Sequence, residues 1–521
     1  MKKALSILLT LVMLAAVSAP ALTAFAASDT VKFAVGTDIH IENTRTELEV
    51  NYPGSELYFH ASGSGNLYDQ AGALTRDFLY ASAKEGAEFI LITGDLTRHG
   101  SEEQHEYVAA LLRSFEKKTG IPVYVIPGNH DYYAGLSRDD FRRIYADFGY
   151  SQALCQDGAT ASYTADLNKK YRLIAVDSND PGEDGDGVTA ALLKWIKTQC
   201  AQAKADGKEI IYMMHHPLLE HLYMGKVLMK DFMLRNSKAV AEMFTRWGIE
   251  YVFTGHEHGN DVTSYAGANG KVVYDVLTTA LSSYPLEYRL VKMNSEGADL
   301  KMRKIEKCDT SALIDGYTSA QKAALRSDYE KFAYEYFRYS VEKKILRILA
   351  PSFIKKELKL GEDTPAFMID TLFTAISDAL TMPLYDSGNG VSIEKLAASK
   401  GVKIPASQYG SLIELASAMV AMHYYGDENM PTDSSPECEI LVKGLNTGLE
   451  YVLTRCGRGG LNLLLGILGA SLGTDELSPL FTAHLLGKEN TYIVAEQVLY
   501  PLLNKFAVDY GLKDRDVFLA A

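Results

Sequence analysis

The chain has 521 residues and a formal net charge of −14. Apolar residues make up 47% of it and charged residues 23%, a composition that predicts folded domains and excludes a disordered chain. The length allows two or three domains of about 150 residues each. The negative charge argues against stable, nonspecific binding to nucleic acid or anionic lipid, although a local positive site would not show in the sum.

The first residues have the pattern of a secretion signal. Lys2 and Lys3 precede an apolar run, and small residues follow it up to Ala26, where we expect cleavage. The alternative is an uncleaved membrane anchor, which the shortness of the run disfavours because a span needs about 20 apolar residues. The expected mature protein is secreted or extracellular, either free or associated with the cell surface, and has no transmembrane span.

From residue 31 to about residue 305, short β-rich apolar runs alternate with helical patterns. This alternation is typical of a layered α/β architecture. Strands are predicted at residues 31–36, 88–93, 121–126, 172–176, 209–214 and 250–254, with further strands within 271–291. Helices are predicted at residues 70–86, 101–118, 190–205 and 237–248, and the segment 41–70 is predicted to be a long loop.

After about residue 310 the pattern changes to long helical periodicities with almost no strand signal. Helices are predicted at residues 319–349, 365–381, 410–424, 437–456 and 490–510. The chain therefore divides into a signal peptide (1–26), an α/β domain (27–308) and an all-α domain (309–521). Whether the helical domain is a lid, a dimerisation surface or an anchoring module stays open, as do the oligomeric state and the pairing of the five cysteines.

Five short polar strings each follow a strand-like run. They are Asp-Ile-His at 38–40, Gly-Asp at 94–95, Gly-Asn-His-Asp at 128–131, His-His-Pro at 215–217 and Gly-His-Glu-His at 255–258. Because the carboxyl ends of parallel strands share one edge of an α/β sheet, these side chains are expected to converge there. Carboxylates, imidazoles and an amide oxygen are ligands for divalent transition metals. A single string is weak evidence, but the five together predict a metal site.

This order of strings resembles that of the calcineurin-like metallophosphoesterase superfamily over about residues 31–305. The resemblance implies a layered β-sandwich flanked by helices, and it leaves the helical C-terminal domain unexplained. It also implies two metal ions. One ion would bind Asp38, His40 and His258, the other would bind Asn129, His215 and His256, and Asp95 would bridge them. The resemblance favours His215 over His216 as the ligand, so His216 would support the site or be structural.

The implied chemistry is attack on a phosphate ester by a hydroxide that bridges the two cations. Cations about 3.5–4 Å apart lower the pKa of a shared water and stabilise both oxygens of an in-line displacement. His130 is placed to protonate the leaving oxygen or to stabilise its charge. Asp131 would either orient His130 or cap the loop. The ligand types suit manganese, iron or zinc, as two divalent or mixed-valence ions.

The sequence therefore predicts a secreted, metal-dependent phosphoric ester hydrolase. Its partner would be a small-molecule phosphodiester or phosphomonoester, and the string at 94–97, Gly-Asp-Leu-Thr, resembles the branch that acts on cyclic nucleotides and glycerophosphodiesters. The alternative is a cell-surface binding protein in which the metal site is structural. His130 and Asp131 argue against this alternative because a structural site needs no acid beside an open metal face.

Overall fold

The computed structural model describes ten stretches of the chain together with residues 319 and 323. These stretches are 30–42, 65–179, 187–221, 234–308, 326–352, 366–385, 388, 390–426, 436–472 and 513–521. The predicted signal peptide, most of the long loop and the helix predicted at 490–510 lie outside the described residues. The five cysteines lie within them and form no disulfide.

The strands in the described part of the chain form two sheets. They are Val31–Gly36 (β1), Phe89–Ile92 (β2), Val123–Val125 (β3), Cys155–Gln156 (β4), Tyr163–Asp166 (β5), Tyr171–Val176 (β6), Glu209–Met214 (β7), Tyr251–Thr254 (β8), Asp261–Ala266 (β9), Val272–Leu277 (β10), Glu287–Asn294 (β11), Gly297–Lys304 (β12) and Asp516–Ala520 (β13). The first sheet has the order β13-β12-β11-β1-β2-β3, and the second has the order β4-β5-β6-β7-β8-β10-β9.

Helices cover the sheets and make up most of the described C-terminal region. They are Ala71–Lys84 (α1), Glu102–Thr119 (α2), Arg138–Ile144 (α3), Ala190–Ala205 (α4), Ser237–Trp247 (α5), Tyr329–Ile348 (α6), Ala366–Thr381 (α7), Ile393–Ala398 (α8), Leu412–Tyr425 (α9) and Pro436–Leu472 (α10). Among the described helices, none combines the length and the apolar character that a membrane crossing requires.

Parallel strands occupy the part of each sheet that leads to the polar strings. In the first sheet β1, β2 and β3 run parallel, with Phe33 opposite Phe89. In the second sheet β6, β7 and β8 run parallel. The carboxyl ends of neighbouring strands in each sheet therefore point the same way, as the sequence pattern requires.

The two sheets pack face to face. Phe33 of β1 stacks on Phe89 of β2 at 4.9 Å and meets Phe253 of β8 edge to face at 5.4 Å. Since Phe33 and Phe253 belong to different sheets and are fully buried, their contact lies in the core between the layers. On the outer face of the second sheet, Ile196 of α4 and Phe244 of α5 pack in one apolar cluster. The predicted β-sandwich flanked by helices is confirmed.

The C-terminal region is helical from α6 to α10, as predicted, with one exception. Strand β13 lies in the range predicted to be all-α, yet it pairs antiparallel with β12, with Leu519 opposite Ala298. Five residues are too few for a strand period to be separated from a helical one. The same shortness explains why β4 and β5 were not predicted, since they have two and four residues.

Candidate metal centre

The seven predicted ligands follow the carboxyl ends of five strands. Asp38 and His40 follow β1, Asp95 follows β2, Asn129 follows β3, His215 follows β7, and His256 and His258 follow β8. Backbone hydrogen bonds tie these loops together: the Asp38 N–H donates to the Gly94 carbonyl at 3.1 Å, and the Gly255 N–H donates to the His215 carbonyl at 3.0 Å. The ligand loops of each sheet therefore hold one another in place.

Three of these side chains form a first cluster. His258 Nε2 lies 3.2 Å from Asp38 Oδ1 and 3.1 Å from His40 Nε2. His40 Nε2 lies 3.6 Å from the same Asp38 oxygen. Asp38 and His40 are buried, and His258 is the member nearest to solvent. These are the three residues that the resemblance assigns to one ion.

A second cluster forms around His215. Its Nδ1–H donates to the Thr93 carbonyl at 2.8 Å, which leaves the Nε2 lone pair facing inward, 3.2 Å from His256 Nδ1. Asn129 donates from Nδ2 to the Tyr133 hydroxyl at 2.7 Å. Its Oδ1 is buried and accepts no hydrogen bond from the described residues, so the amide oxygen is available as a ligand.

Asp95 joins the two clusters. Its Oδ2 lies 3.7 Å from His40 Nε2 in the first cluster and 3.4 Å from His215 Nε2 in the second. Its other oxygen, Oδ1, accepts a hydrogen bond from the His130 N–H at 2.9 Å. One buried carboxylate thus faces both groups of imidazoles, which is the position the resemblance implies for the bridging ligand.

The spacing of these atoms fits metal coordination. Two nitrogens bound to one cation at about 2.0–2.1 Å in a tetrahedral arrangement are about 3.3 Å apart. The six distances among the ligand atoms above run from 3.1 to 3.7 Å. Asp38 Oδ1 and Asn129 Oδ1 are buried and accept no hydrogen bond from the described part of the chain, although buried polar atoms normally have partners. The residues therefore fit a pair of cations.

Five of the seven predicted ligands have left-handed backbone conformations. The φ angles are 53° for Asp38, 49° for His40, 50° for Asp95, 72° for His256 and 64° for His258. Such a conformation costs a residue other than glycine about 1–3 kcal/mol and persists only where the surroundings fix it. Its concentration at this rim indicates that the loops are shaped to direct side chains inward, at the expense of local backbone energy.

Gly128 permits the close approach of two ligand loops. A Cβ atom built on it would lie 2.2 Å from Asp95 Oδ1 and 2.7 Å from His215 Nε2, which is far inside van der Waals contact. Any side chain at this position would push the Asn129 loop away from Asp95. Glycine is therefore required at position 128 because there is no room for a side chain. Its φ of −101° is a value that any residue can adopt.

The cluster carries buried negative charge. For both Asp38 and Asp95, burial would raise the pKa, but nearby histidines outweigh it and hold the pKa well below the ordinary value. Burial lowers the pKa of His40 to about 4. Burial also acts to lower the pKa of His215, but Asp95 and Asp38 outweigh it and raise that pKa to about 10. Two ionised carboxylates in one buried site need compensating positive charge, which His215 supplies when it is protonated and which bound metal ions would supply in its place.

Residues 31–260 match the family model of the calcineurin-like phosphoesterases. This part of the chain is a calcineurin-like phosphoesterase domain. The match covers both clusters and the bridging Asp95, and it ends at the residue before β9 begins. The helical region lies outside the match.

Two curated relatives of the phosphoesterase domain are named as phosphodiesterases. The chain is 25% identical over 134 residues to a probable glycerophosphodiester phosphodiesterase of Arcobacter nitrofigilis, an alignment that covers 26% of this chain and 43% of that protein. It is 22% identical over 240 residues to a probable cyclic nucleotide phosphodiesterase of Fibrobacter succinogenes, covering 44% of this chain and 84% of that protein. The chain thus spans less than half the length of the first relative.

Among solved structures, the chain is similar to a dimetal phosphatase from Danio rerio. The superposition covers 53% of this chain and 96% of that one, with 12% identity and a TM-score of 0.38.

The two predicted catalytic residues of the phosphoesterase domain do not contact each other's side chains but have different hydrogen-bond partners. His130 donates from Nδ1 to the Arg98 carbonyl at 2.8 Å, and its ring lies 4.7 Å from the His40 ring. Asp131 is buried and accepts from the N–H groups of residues 96, 97 and 128 and from the Thr97 hydroxyl, at 2.8–3.1 Å. The group hydrogen-bonded to the His130 ring is therefore the Arg98 carbonyl. The contacts of Asp131 fit the alternative that it caps the loop.

Some residues at the site were not predicted from the sequence. Ser178 lies after β6, and its hydroxyl is 2.7 Å from His216 Nδ1, which fixes the His216 ring 4.5 Å from the His256 ring. The nitrogens of His215, His216 and His256 lie close enough to share an ion. The string Asp-Ser-Asn at 177–179 follows a strand as the other strings do, so its position was a usable signal.

Proposed function

We propose that this protein is a secreted, dinuclear-metal phosphodiesterase. The observation that carries the proposal is the position of Asp95, whose Oδ2 lies 3.7 Å from one imidazole cluster and 3.4 Å from the other. One carboxylate that faces two sets of ligands is suited to hold two cations side by side. The named activities of the two curated relatives support a diester as the substrate class. The apolar leader and its small-residue end support secretion.

The metal ions would be held by the seven predicted ligands. When bound, two such cations lower the pKa of water and neutralise the negative charge of a phosphate ester. The chain's own part is to keep the ligands in place: Thr93 fixes the tautomer of His215, and the Asp38 carboxylate accepts the His256 N–H at 2.9 Å. These contacts pre-organise the site before substrate arrives.

His130 is proposed to act on the leaving oxygen. Its Nδ1–H is committed to the Arg98 carbonyl, so Nε2 is the atom that can carry a proton to substrate. The ring lies beside His40 and is half-buried. Its backbone N–H is fixed on Asp95 at 2.9 Å, which ties the position of this acid to the proposed bridging ligand.

Asp95→Asn tests the proposal. The variant keeps the shape of the side chain but removes a charge that faces both clusters. We expect metal content measured by mass spectrometry to fall from two ions per chain to one or none. We expect kcat/KM for bis(p-nitrophenyl) phosphate to fall by at least about 100-fold, the upper range for residues that support metal ligands. Asp139→Asn is the matched control because Asp139 is exposed and makes only a surface ion pair.

The substrate class is tested on the same preparations. Wild-type protein loaded in turn with manganese, iron and zinc is expected to hydrolyse bis(p-nitrophenyl) phosphate faster than p-nitrophenyl phosphate. A preference for the monoester would contradict the diester assignment. If the loaded protein binds metal but hydrolyses neither compound, the enzyme proposal fails and the result favours the alternative of a binding protein with a structural metal site. Secretion is tested by finding the protein, cut after Ala26, in the culture medium.

A further inference from the structure

Helix α9 of the C-terminal region ends on the loop that carries two of the predicted ligands. The carbonyl of its last residue, Tyr425, accepts from Asn260 Nδ2 at 3.3 Å and from Arg515 Nη1 at 2.7 Å. Gly426 has a φ of 86°, and a Cβ atom there would lie 2.8 Å from the Asn260 carbonyl. Asn260 is only two residues beyond His258, so the helix end is fixed beside the first cluster.

This contact brings His423 to the ligand loop. A Cβ atom built on Gly259 would lie 3.4 Å from His423 Nε2, which means that the imidazole is in van der Waals range of the residue next to His258. His423 is half-buried rather than enclosed. An imidazole from outside the phosphoesterase domain therefore lies against the loop that carries His258.

Tyr424 is held beside His423 by aromatic packing. Its ring lies 4.5 Å from the ring of Phe337 in α6, and the Phe337 ring in turn lies 5.9 Å from that of Tyr284, between β10 and β11. The hydroxyl is within the electrostatic reach of the site, since burial, then the Glu257 carboxylate and then that of Asp38 raise the pKa of Tyr424. Tyr424 as a whole residue is half-buried.

We propose that His423 and Tyr424 are specificity-determining residues that contact the organic group of a phosphodiester while its phosphate lies at the metal ligands. The inference rests on the proposed function. A tyrosine ring can stack on an aromatic group, and an imidazole and a phenol are polar, a combination that recognises a planar, polar ester group such as an aryl or nucleoside moiety. The helical region would thus complete the substrate site that the phosphoesterase domain begins.

The test compares a bulky diester with phosphate alone, on full-length, metal-loaded protein. Tyr424→Ala is expected to raise KM for bis(p-nitrophenyl) phosphate about five- to tenfold, the loss of one aromatic contact, with kcat within about threefold. The inhibition constant of inorganic phosphate is expected to stay within about twofold, because phosphate has no organic group to lose a contact. Tyr424→Phe keeps the ring and is expected to restore most of the KM.

Two further variants make the result decisive. His423→Ala should also raise KM, which provides a second test if Tyr424→Ala folds poorly. Phe367→Ala is the control, since Phe367 is an exposed aromatic residue elsewhere in the helical region and should leave KM unchanged. Unchanged KM in both the 423 and 424 variants would overturn the inference, as would a parallel rise in the phosphate inhibition constant. Absence of turnover by wild-type protein would instead overturn the proposed function, and the substrate role with it.

Discussion

Replacing Gly128 with alanine should displace the loop that carries Asn129 and His130. The added Cβ would lie 2.5 Å from the Asp95 backbone nitrogen and 2.2 Å from its Oδ1, whereas ordinary contact begins near 3.4 Å. Asp95 cannot yield easily, because its carbonyl accepts the His40 N–H at 2.9 Å and its Oδ1 accepts the His130 N–H. The loop must therefore retreat by about 1 Å, a displacement on the scale that costs about 100-fold in rate when it separates catalytic groups.

The same substitution should cost about 1–3 kcal/mol of unfolding free energy, as overpacking a well-packed site does. Three measurements on one preparation check these values: metal content, kcat/KM for bis(p-nitrophenyl) phosphate, and urea unfolding. Gly158→Ala is the matched control, because a Cβ atom there meets nothing within 4 Å. If Gly128→Ala binds metal and turns over substrate as well as Gly158→Ala, the glycine does not set the distance between the ligand loops, and the geometric reasoning is wrong.

Three other predictions concern buried charges near the site. Asp131→Asn removes an anion that accepts four hydrogen bonds, so the unfolding free energy should fall by about 3 kcal/mol in urea titration, while the pH profile of kcat keeps its shape if the residue only caps the loop. Arg515→Ala leaves the fully buried Glu287 without its two 2.7 Å contacts to the guanidinium and should cost about 3–5 kcal/mol by the same measurement; a loss below 1 kcal/mol would contradict this. His221 lies 2.6 Å from Asp261 and 3.0 Å from Asp275; burial lowers its pKa, but these carboxylates outweigh it and hold the pKa well above 6.5. The stabilising contribution of protonated His221 is therefore complete below pH about 6.5 and is lost as pH rises towards the folded-state pKa. The difference in melting temperature between wild type and His221→Asn should narrow from pH about 6 to pH about 9. A constant difference would refute the conclusion that His221 is protonated between these carboxylates.

The rim of the sheets could be predicted from the sequence because two local signals coincide there. Runs such as residues 209–214 show their strand character without tertiary information, and each is followed at once by a polar string. Parallel pairing then leaves one edge at which the strings can meet. A metal site differs from a hydrogen-bonded histidine in the spacing of its ligand atoms, such as the 3.2 Å between His215 Nε2 and His256 Nδ1. That spacing depends on packing between loops, so no local sequence pattern can predict it.

The role of Asp131 shows where sequence reasoning stops. A carboxylate beside His130 could orient the imidazole or accept hydrogen bonds from backbone N–H groups, and the same sequence string is compatible with either role. The choice depends on where the loops around residues 96 and 98 come to lie, since they provide the donors to Asp131 and the Arg98 carbonyl that holds His130. Those positions follow from the pairing of Ile41 with Thr97, a contact 56 residues apart in the chain. Neither the string at 128–131 nor its periodicity contains that information.

The sequence also did not predict how the helical region is attached to the sheets, and this attachment affects how the site would work. Its helices lie in sequence between β12 and β13, which are neighbours in the first sheet, so this part of the chain leaves that sheet and returns to it. A third attachment joins the end of α9 to Asn260, across 165 residues of chain. A lid that swings on one hinge needs a single connection, whereas a unit held at its return strand and at the ligand loop resists such motion. Recognition of the ester group by His423 and Tyr424 would therefore occur in a preformed site, and binding would spend little free energy on closing it.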